Sequence, residues 1–292
     1  MPNLRGQLLE NAPLAEYSSW QVGGPAQRLY KPADSHDLIN FIKTLAAEEP
    51  LIFFFFGSNN LVRDGGIKGT VVSTQGALNQ LKCLDPVTLY AEAGVASPAL
   101  ARFAARKNLT GAEFLAGIPG TIGGALAMNA GCSGCETWNI VKSVITLNRH
   151  GEKKTRFPSE YEIAYRQVSV FPDEYYLAAH FQLEPGAKEK SLAKIRSLLL
   201  HRATTQPTNE PNCGSVFRNP AGDYAARLIE SCGLKGLKVG DASVSTKHAN
   251  FIINEGRATA ADIESLIEKI TDIVFQIHHI QLIREVRIIG II

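Results

Sequence analysis

The stretch Ala116-Gly-Ile-Pro-Gly-Thr-Ile-Gly-Gly-Ala-Leu-Ala-Met-Asn-Ala-Gly131 decides how this chain is read. Glycines at 117, 120, 123 and 124 leave bare backbone that a ligand can approach closely. Pro119 suits a turn, and Thr121 stands near a helix start, where backbone N–H groups point outward and suit a pyrophosphate. Tight helix packing through small side chains fits the same residues, and periodicity alone does not separate the two readings. The wider segment Phe114 to Cys135 has no charged residue and is long enough to cross a bilayer. Pro119, Asn129 and six glycines (117, 120, 123, 124, 131, 134) would make it a poor lipid-facing helix. No membrane span is expected, and the segment must pack closely against something.

The rest of the composition narrows the class. The chain has 292 residues, 45% apolar and 20% charged, which is the profile of a globular protein. At about 150 residues per domain, that length suggests two domains. A net charge of +2, with no dense Lys/Arg run, makes nucleic acid an unexpected partner. Five cysteines (83, 132, 135, 213, 232) are odd in number and sparse, which points to a reducing compartment. Residues 1 to 15 carry polar and acidic groups where a signal peptide would place an apolar core, so a cytoplasmic location is expected.

Working outward along the chain, Ala26 to Tyr30 reads as extended, and Ser35 is placed as the cap of a helix with Leu38, Ile39, Ile42 and Leu45 on one face. Leu51 to Phe56 suits a buried strand, followed by turns at Gly57-Ser58-Asn59-Asn60 and Asp64-Gly65-Gly66. Strands are expected at Val87 to Glu92, Ile140 to Leu147 and Tyr175 to Leu183, with a hairpin turn at His150-Gly151. Ser97 as N-cap and Pro98 at the first helical position start a helix to Lys107. Helices are further expected at Lys188 to Ala203, Tyr224 to Cys232 and Thr259 to His279. In the last of these, Ile263, Leu266, Ile267, Ile270, Ile273, Val274 and Ile277 follow helical spacing. A strand near Phe251 to Ile253 and a final strand from Leu282 to Ile289 complete an α+β reading with mixed sheets. The expected division is 1–73, 74–187 and 188–292.

Two familiar phosphate cradles are absent: there is no G-x-x-x-x-G-K-[ST], and no G-x-G-x-x-G between a strand and a helix. Gly57-Ser58-Asn59-Asn60 is a second candidate cradle, although such sequences are also ordinary turns. Cys132-x-x-Cys135 resembles half a metal knuckle, but zinc needs about four ligands and the other cysteines are scattered. No metal site is proposed. Tyr165-Arg166 fits a polar loop with a surface cation, and Ser215 fits a turn cap. Glu285 and Arg287 lie two apart on the final strand, where a modest ion pair is the default.

Taken in order, Val22-Gly-Gly-Pro-Ala26, Gly57-Ser-Asn59, Ala116 to Gly124, Met128-Asn-Ala-Gly131, Tyr165-Arg166, Gln206-Pro207, Gly214-Ser-Val-Phe217, Lys247-His-Ala-Asn-Phe251 and Glu285-Val-Arg287 carry a resemblance. Together they resemble the UDP-N-acetylenolpyruvoylglucosamine reductase family, the flavoenzymes that make UDP-N-acetylmuramate for peptidoglycan, over nearly the whole chain. The resemblance implies a two-lobed FAD-binding unit of the vanillyl-alcohol-oxidase type (1–73 and 74–187) and an α+β substrate domain (188–292). It implies FAD contacts at Gly57, Ser58, Asn59, Asn60, Gly117, Ile118, Pro119, Gly120, Thr121, Gly123, Gly124 and Asn129. Arg166, Ser215 and Glu285 would be catalytic, and Tyr165, Arg202, Asn219, Lys247 and Arg287 would contact a UDP-sugar. The 48 residues between Arg166 and Ser215 match the shorter type of the family, which lacks an inserted substrate loop. Two departures imply altered cofactor contacts: Phe55 and Phe56 precede Gly57 where the family is glycine-rich, and Cys132-Ser133 follows Gly131 where it often has an aromatic.

Under this resemblance NADPH reduces FAD, and hydride passes to the β-carbon of an enolpyruvyl ether. Charge then builds toward the α-carbon and its carboxylate, where Arg166 would stabilise it. Glu285 would assist if protonated, and Ser215 would protonate the α-carbon. Competing expectations are a flavin oxidase acting on a sugar or hydroxy acid, and a nucleotide-binding regulator without turnover. The expected assembly is a monomer or weak oligomer.

Overall fold

The computed structural model describes residues 4–55 and 57–292. By internal contacts the chain forms two compact units. Unit 1 is Met1–Leu9, Leu29–Phe56 and Thr70–His201, and unit 2 is Glu10–Arg28, Gly57–Gly69 and Arg202–Ile292. Each is held by its own core. A four-stranded sheet has the order Gln7–Pro13, Pro25–Lys31, Ile67–Ser73, Leu51–Phe54. Its last pair is parallel, with Leu51 opposite Thr70 and Phe54 opposite Ser73.

Unit 1 carries a five-stranded antiparallel sheet in the order Lys153–Arg156, Val141–Asn148, Glu174–Gln182, Thr88–Glu92, Leu81–Cys83. Ala178 faces Glu92 and Ile145 in the ladder, so the strand Glu174–Gln182 is central, and Leu177, Ala178, Ala179 and Phe181 are buried accordingly. The hairpin at His150-Gly151 forms as expected, with Gly151 at φ +76. Helix α1 (Ser35–Ile42) seals a small core of Tyr30, Leu38, Phe41 and Ile42, where the Tyr30 and Phe41 rings stack at 3.6 Å. Its N-cap is Asp34, whose carboxylate accepts the Asp37 N–H (2.9 Å), so Ser35 is the first helical residue and not the cap.

Helix α2 (Ser97–Arg106) places Leu100, Ala101, Ala104 and Ala105 on the main core of unit 1. Ser97 is not its N-cap either. Ala96 holds that position, and Ser97 turns its hydroxyl into the interior, wholly buried. The cradle stretch supplies α3 (Ile122–Met128), and α4 (Lys188–Thr205) follows.

Unit 2 is organised by α5 (Ala225–Ser231) and α6 (Ala260–His278). Thr259 accepts the Asp262 N–H (3.0 Å) and Asp262 accepts the Thr259 N–H (2.9 Å), a reciprocal cap that fixes where α6 begins. Ile263, Leu266, Ile267, Ile270 and Val274 are buried against Trp20, Phe217, Leu228 and Ile252. Ile277 departs from the expected stripe: it is 54% exposed, because the helix outruns the core. The final strand is also shorter than expected, Arg287–Ile289, in parallel with Asn60–Val62. Upstream, the single carbonyl of Val216 accepts both the Glu285 and Val286 N–H groups (2.8 and 3.3 Å), which a regular ladder cannot do. No helix among the described residues is long and apolar enough to cross a membrane.

Candidate functional site

In unit 1 the cradle stretch leaves a 3-10 turn at Glu113–Gly117 and enters α3 along the edge of Ala93–Ser97. Ser97 N–H donates to Gly120 O (3.0 Å), Ile122 N–H to Val95 O (2.8 Å) and Gly123 N–H to Ala93 O (2.8 Å). At the helix start the amides of Ile122 and Gly123 are thus bonded to backbone. Thr121 donates its hydroxyl to Phe55 O (3.3 Å), and Gly120 sits at φ +113, where a side chain would be strained. A Cβ on Gly123 would lie 2.2 Å from Phe55 Cδ1, and one on Gly117 would lie 3.0 Å from Cys132 Sγ. Close packing therefore accounts for these two glycines as the protein stands.

The same edge nonetheless suits a polar cofactor. The hydroxyls of Ser73, Thr74 and Ser97 are buried, with no hydrogen-bond partner among the described residues. Ser97 is tied to the cradle by its N–H on Gly120 O, while Ser73 and Thr74 lie beside Phe54, Ser73 opposite it in the ladder and Thr74 donating its N–H to Phe54 O (3.4 Å). Each unpaired buried hydroxyl costs about 1–3 kcal/mol, so donors and acceptors on a ligand would relieve a standing penalty. Sequence alone gives Ser97 only the part of a helix cap and gives Ser73 and Thr74 none, since an isolated Ser or Thr carries no motif.

Arg166 is also in unit 1, at φ +56 in the two-residue turn between Ile163–Ala164 and Gln167–Val168. It is no loose surface cation. Its guanidinium donates to Gly131 O (2.8 Å) and Asn129 O (3.3 Å), lies 3.8 Å from the Glu136 carboxylate, and stacks over the exposed Tyr165 ring at 4.8 Å. Asn129 is the hub beneath it, 1% exposed and left-handed at φ 44, ψ 51. Its side chain accepts the Trp138 N–H (3.2 Å) and donates to Glu136 (2.8 Å) and Ala164 O (3.1 Å). The resemblance implies a cofactor contact at Asn129, and its side-chain amide makes these three bonds within the protein. Cys132 and Cys135 face each other across the adjacent turn, Ser133-Gly134.

Unit 2 gathers the Gly57–Asn60 turn with Ser215, Glu285 and Arg287. Asn59 donates its amide to Glu285 O (3.1 Å) and accepts the Arg287 N–H at its carbonyl (2.9 Å). Ser215 precedes Val216, whose carbonyl holds the Glu285 amide, so Ser215 and Glu285 share one backbone junction. Asn250, 4% exposed, clamps that junction by bonding both the N–H and the carbonyl of Phe217 (2.9 and 2.8 Å). Cys213 donates to Gly57 O (3.2 Å), and burial pushes its thiol up to about 12. Of the expected substrate contacts, Asn219 accepts the Ala225 N–H (3.1 Å) at the start of α5, Arg202 donates to Gln206 (3.2 Å), and Lys247 donates to Ala203 O (2.5 Å). Arg218 Nε is buried without a partner among the described residues, another polar atom the motif reading passed over.

Residues 26–155 match the family described as FAD binding domain, and residues 206–289 match the C-terminal domain of UDP-N-acetylenolpyruvoylglucosamine reductase. The protein of that name from Legionella pneumophila is 59% identical over 287 residues, covering 98% of this chain and 93% of the relative. The chain belongs to the UDP-N-acetylenolpyruvoylglucosamine reductase family. A Methylococcus capsulatus reductase of the same name is 54% identical across 98% of the chain and 94% of the relative. The crystal structure of the Thermus caldophilus reductase matches with a TM-score of 0.83 at 31% identity, over 97% of this chain and 98% of that one. As a member of this reductase family the chain is an FAD-dependent oxidoreductase with the α+β, vanillyl-alcohol-oxidase-type fold expected from sequence. Of the two phenylalanines that set it apart ahead of Gly57, Phe55 is described above and Phe56 lies outside the described residues.

Proposed function

We propose that this chain reduces UDP-N-acetylglucosamine enolpyruvate to UDP-N-acetylmuramate with NADPH as co-substrate, in peptidoglycan synthesis in the cytoplasm. The observation that supports this most is the backbone junction that keeps Ser215 beside Glu285, in a chain that matches the reductases nearly end to end. Residues 1–73 and 74–187 are assigned to FAD binding, and 188–292 to the substrate. Gly57–Asn60, Gly117–Thr121, Gly123, Gly124 and Asn129 would hold FAD, with Ser73, Thr74 and Ser97 added on the strength of their unpaired hydroxyls. When bound, FAD supplies the hydride, accepted from NADPH and delivered to the enolpyruvyl double bond.

The protein's own groups handle the charge and the proton. Arg166 is oriented by two carbonyls, so its fork is fixed before substrate arrives and can bind a carboxylate on which charge develops without reorganising. Glu285 is assigned to hydrogen-bond that carboxylate, and Ser215 to deliver a proton to the α-carbon. A serine hydroxyl is a weak acid, so its competence rests on position against a strongly basic carbon. Tyr165, Arg202, Asn219, Lys247 and Arg287 are assigned to the UDP-sugar. The test is Ser215→Ala: flavin reduction by NADPH should proceed at the parental rate, and reoxidation by the enolpyruvyl nucleotide should slow at least a hundredfold. Equal loss in both half-reactions would remove the proton-donor role.

A further inference from the structure

We infer that the Phe55 ring is a plug in the cofactor cradle: it covers Gly123 and must be displaced for FAD to bind there. The inference rests on the proposed placement of FAD at Gly117–Gly124 and goes beyond it by assigning a role to a residue that no motif contains. The ring lies directly over the glycine. Cδ1, Cε1 and Cγ of Phe55 stand 2.2, 2.5 and 2.9 Å from where a Gly123 Cβ would be, and Phe55 Cβ stands 3.7 Å from that of Gly124. Among the described residues nothing else approaches the bare face of Gly123 so closely, so the surface that the sequence leaves open to a ligand is covered by an aromatic ring.

Its anchorage suits displacement. Phe55 follows the last residue of the strand Leu51–Phe54, outside the ladder, and is only partly buried. Its backbone is tethered through the Thr121 hydroxyl on its carbonyl, which leaves the side-chain torsions to move. The ring packs at the margin of two apolar clusters, and its aromatic neighbour Phe53 is 6.0 Å away and tilted at 45°, against the 4.2 Å stack of Phe53 on Tyr175. The unpaired hydroxyls of Ser73 and Thr74, beside the preceding residue Phe54, and of Ser97, bonded through its N–H to Gly120, would gain hydrogen bonds from a phosphate or a polyol that a hydrocarbon ring cannot give. Phe55 thus competes with the cofactor for the bare face of Gly123.

A plug that stabilises only the apoprotein must weaken FAD binding by the same factor. The experiment compares parental and Phe55→Ala apoproteins by quenching of flavin fluorescence, with unfolding temperatures read with and without FAD. Phe55→Ala should bind FAD at least tenfold more tightly and faster, with a lower unfolding temperature as apoprotein and a much smaller deficit when loaded. Unchanged or weaker binding by folded Phe55→Ala would overturn the plug and would mean that the ring contacts FAD or lies off its path. Failure of the parental protein to bind FAD would instead strike at the placement of the cofactor. If Phe55→Ala does not fold, 4-fluorophenylalanine at position 55 carries the test. Its fluorine solvent-isotope shift should rise on adding FAD, and a shift that stays at the apoprotein value would overturn the inference.

Discussion

Asn129 offers the sharpest test of how the Arg166 arm is built. Its buried amide makes two bonds to neutral backbone groups and one to the Glu136 carboxylate, and its backbone is left-handed. Replacing it with alanine strands the Trp138 N–H and the Ala164 carbonyl, removes a charge-assisted bond, and puts a Cβ residue into a conformation alanine resists. At about 1 kcal/mol per neutral bond, 1.5–3 for the charged one and 1–2 for the backbone, Asn129→Ala should cost about 4.5–7 kcal/mol. That is a large share of the 5–15 kcal/mol that typically separates folded from unfolded protein. Asn129→Gly loses the same bonds but tolerates the positive φ, so it should recover about 1 kcal/mol of that. Asn129→Asp should fall below both near neutral pH, because a second carboxylate then faces Glu136 and no donor reaches Ala164. Urea denaturation followed by Trp138 fluorescence measures all three. A loss under about 1 kcal/mol for Asn129→Ala, or no advantage of glycine over alanine, would refute the hub.

Other consequences can be checked independently. Arg156, bound to Glu174 (2.5 Å) and Glu160 (2.8 Å), holds the Glu174 carboxyl below its ordinary value of 4.5. A depressed carboxylate stabilises the fold above that ordinary value and loses its contribution as pH falls through the folded one, so acid unfolding of the parent should be steeper below 4.5 than that of Glu174→Gln. In thiol titration, exposed Cys83 and Cys135 should react in the native protein, while Cys213, buried and raised to about 12, should react only on unfolding. Ile270→Ala, at a wholly buried position of α6, should lower stability by about 2–5 kcal/mol in denaturant titration without altering flavin binding.

What the sequence made legible, and what it hid, follows from where each element finds its partners. Helix α6 could be read because its isoleucines repeat at the helical period and Thr259 caps it locally. The strand Gln7–Pro13 went unread because most of its side chains are exposed and Asn11 takes φ 50, so no alternation survives. Ser97 was read as a cap because serine before proline usually is one; its hydroxyl is instead buried and unpaired at the first helical position, a fact about tertiary surroundings that no local pattern carries. The site shows the same division more sharply. Arg166, Ser215 and Glu285 were found as side chains, by their place in motifs. The groups that orient them are backbone atoms: the Gly131 and Asn129 carbonyls for Arg166, and the Val216 carbonyl for the Glu285 segment. Every residue owns a carbonyl, so a motif can name the catalytic donor but not the acceptors that aim it. Asn129 bridges the two kinds of information, since its side chain marks it in the sequence while its work is to fix a left-handed turn and present its own carbonyl to Arg166. If that is why the position is asparagine, substitutions there should damage the fold and the arginine's placement together, whereas Gly123, whose three nearest neighbouring atoms among the described residues all belong to the Phe55 ring, should tolerate alanine once position 55 is small.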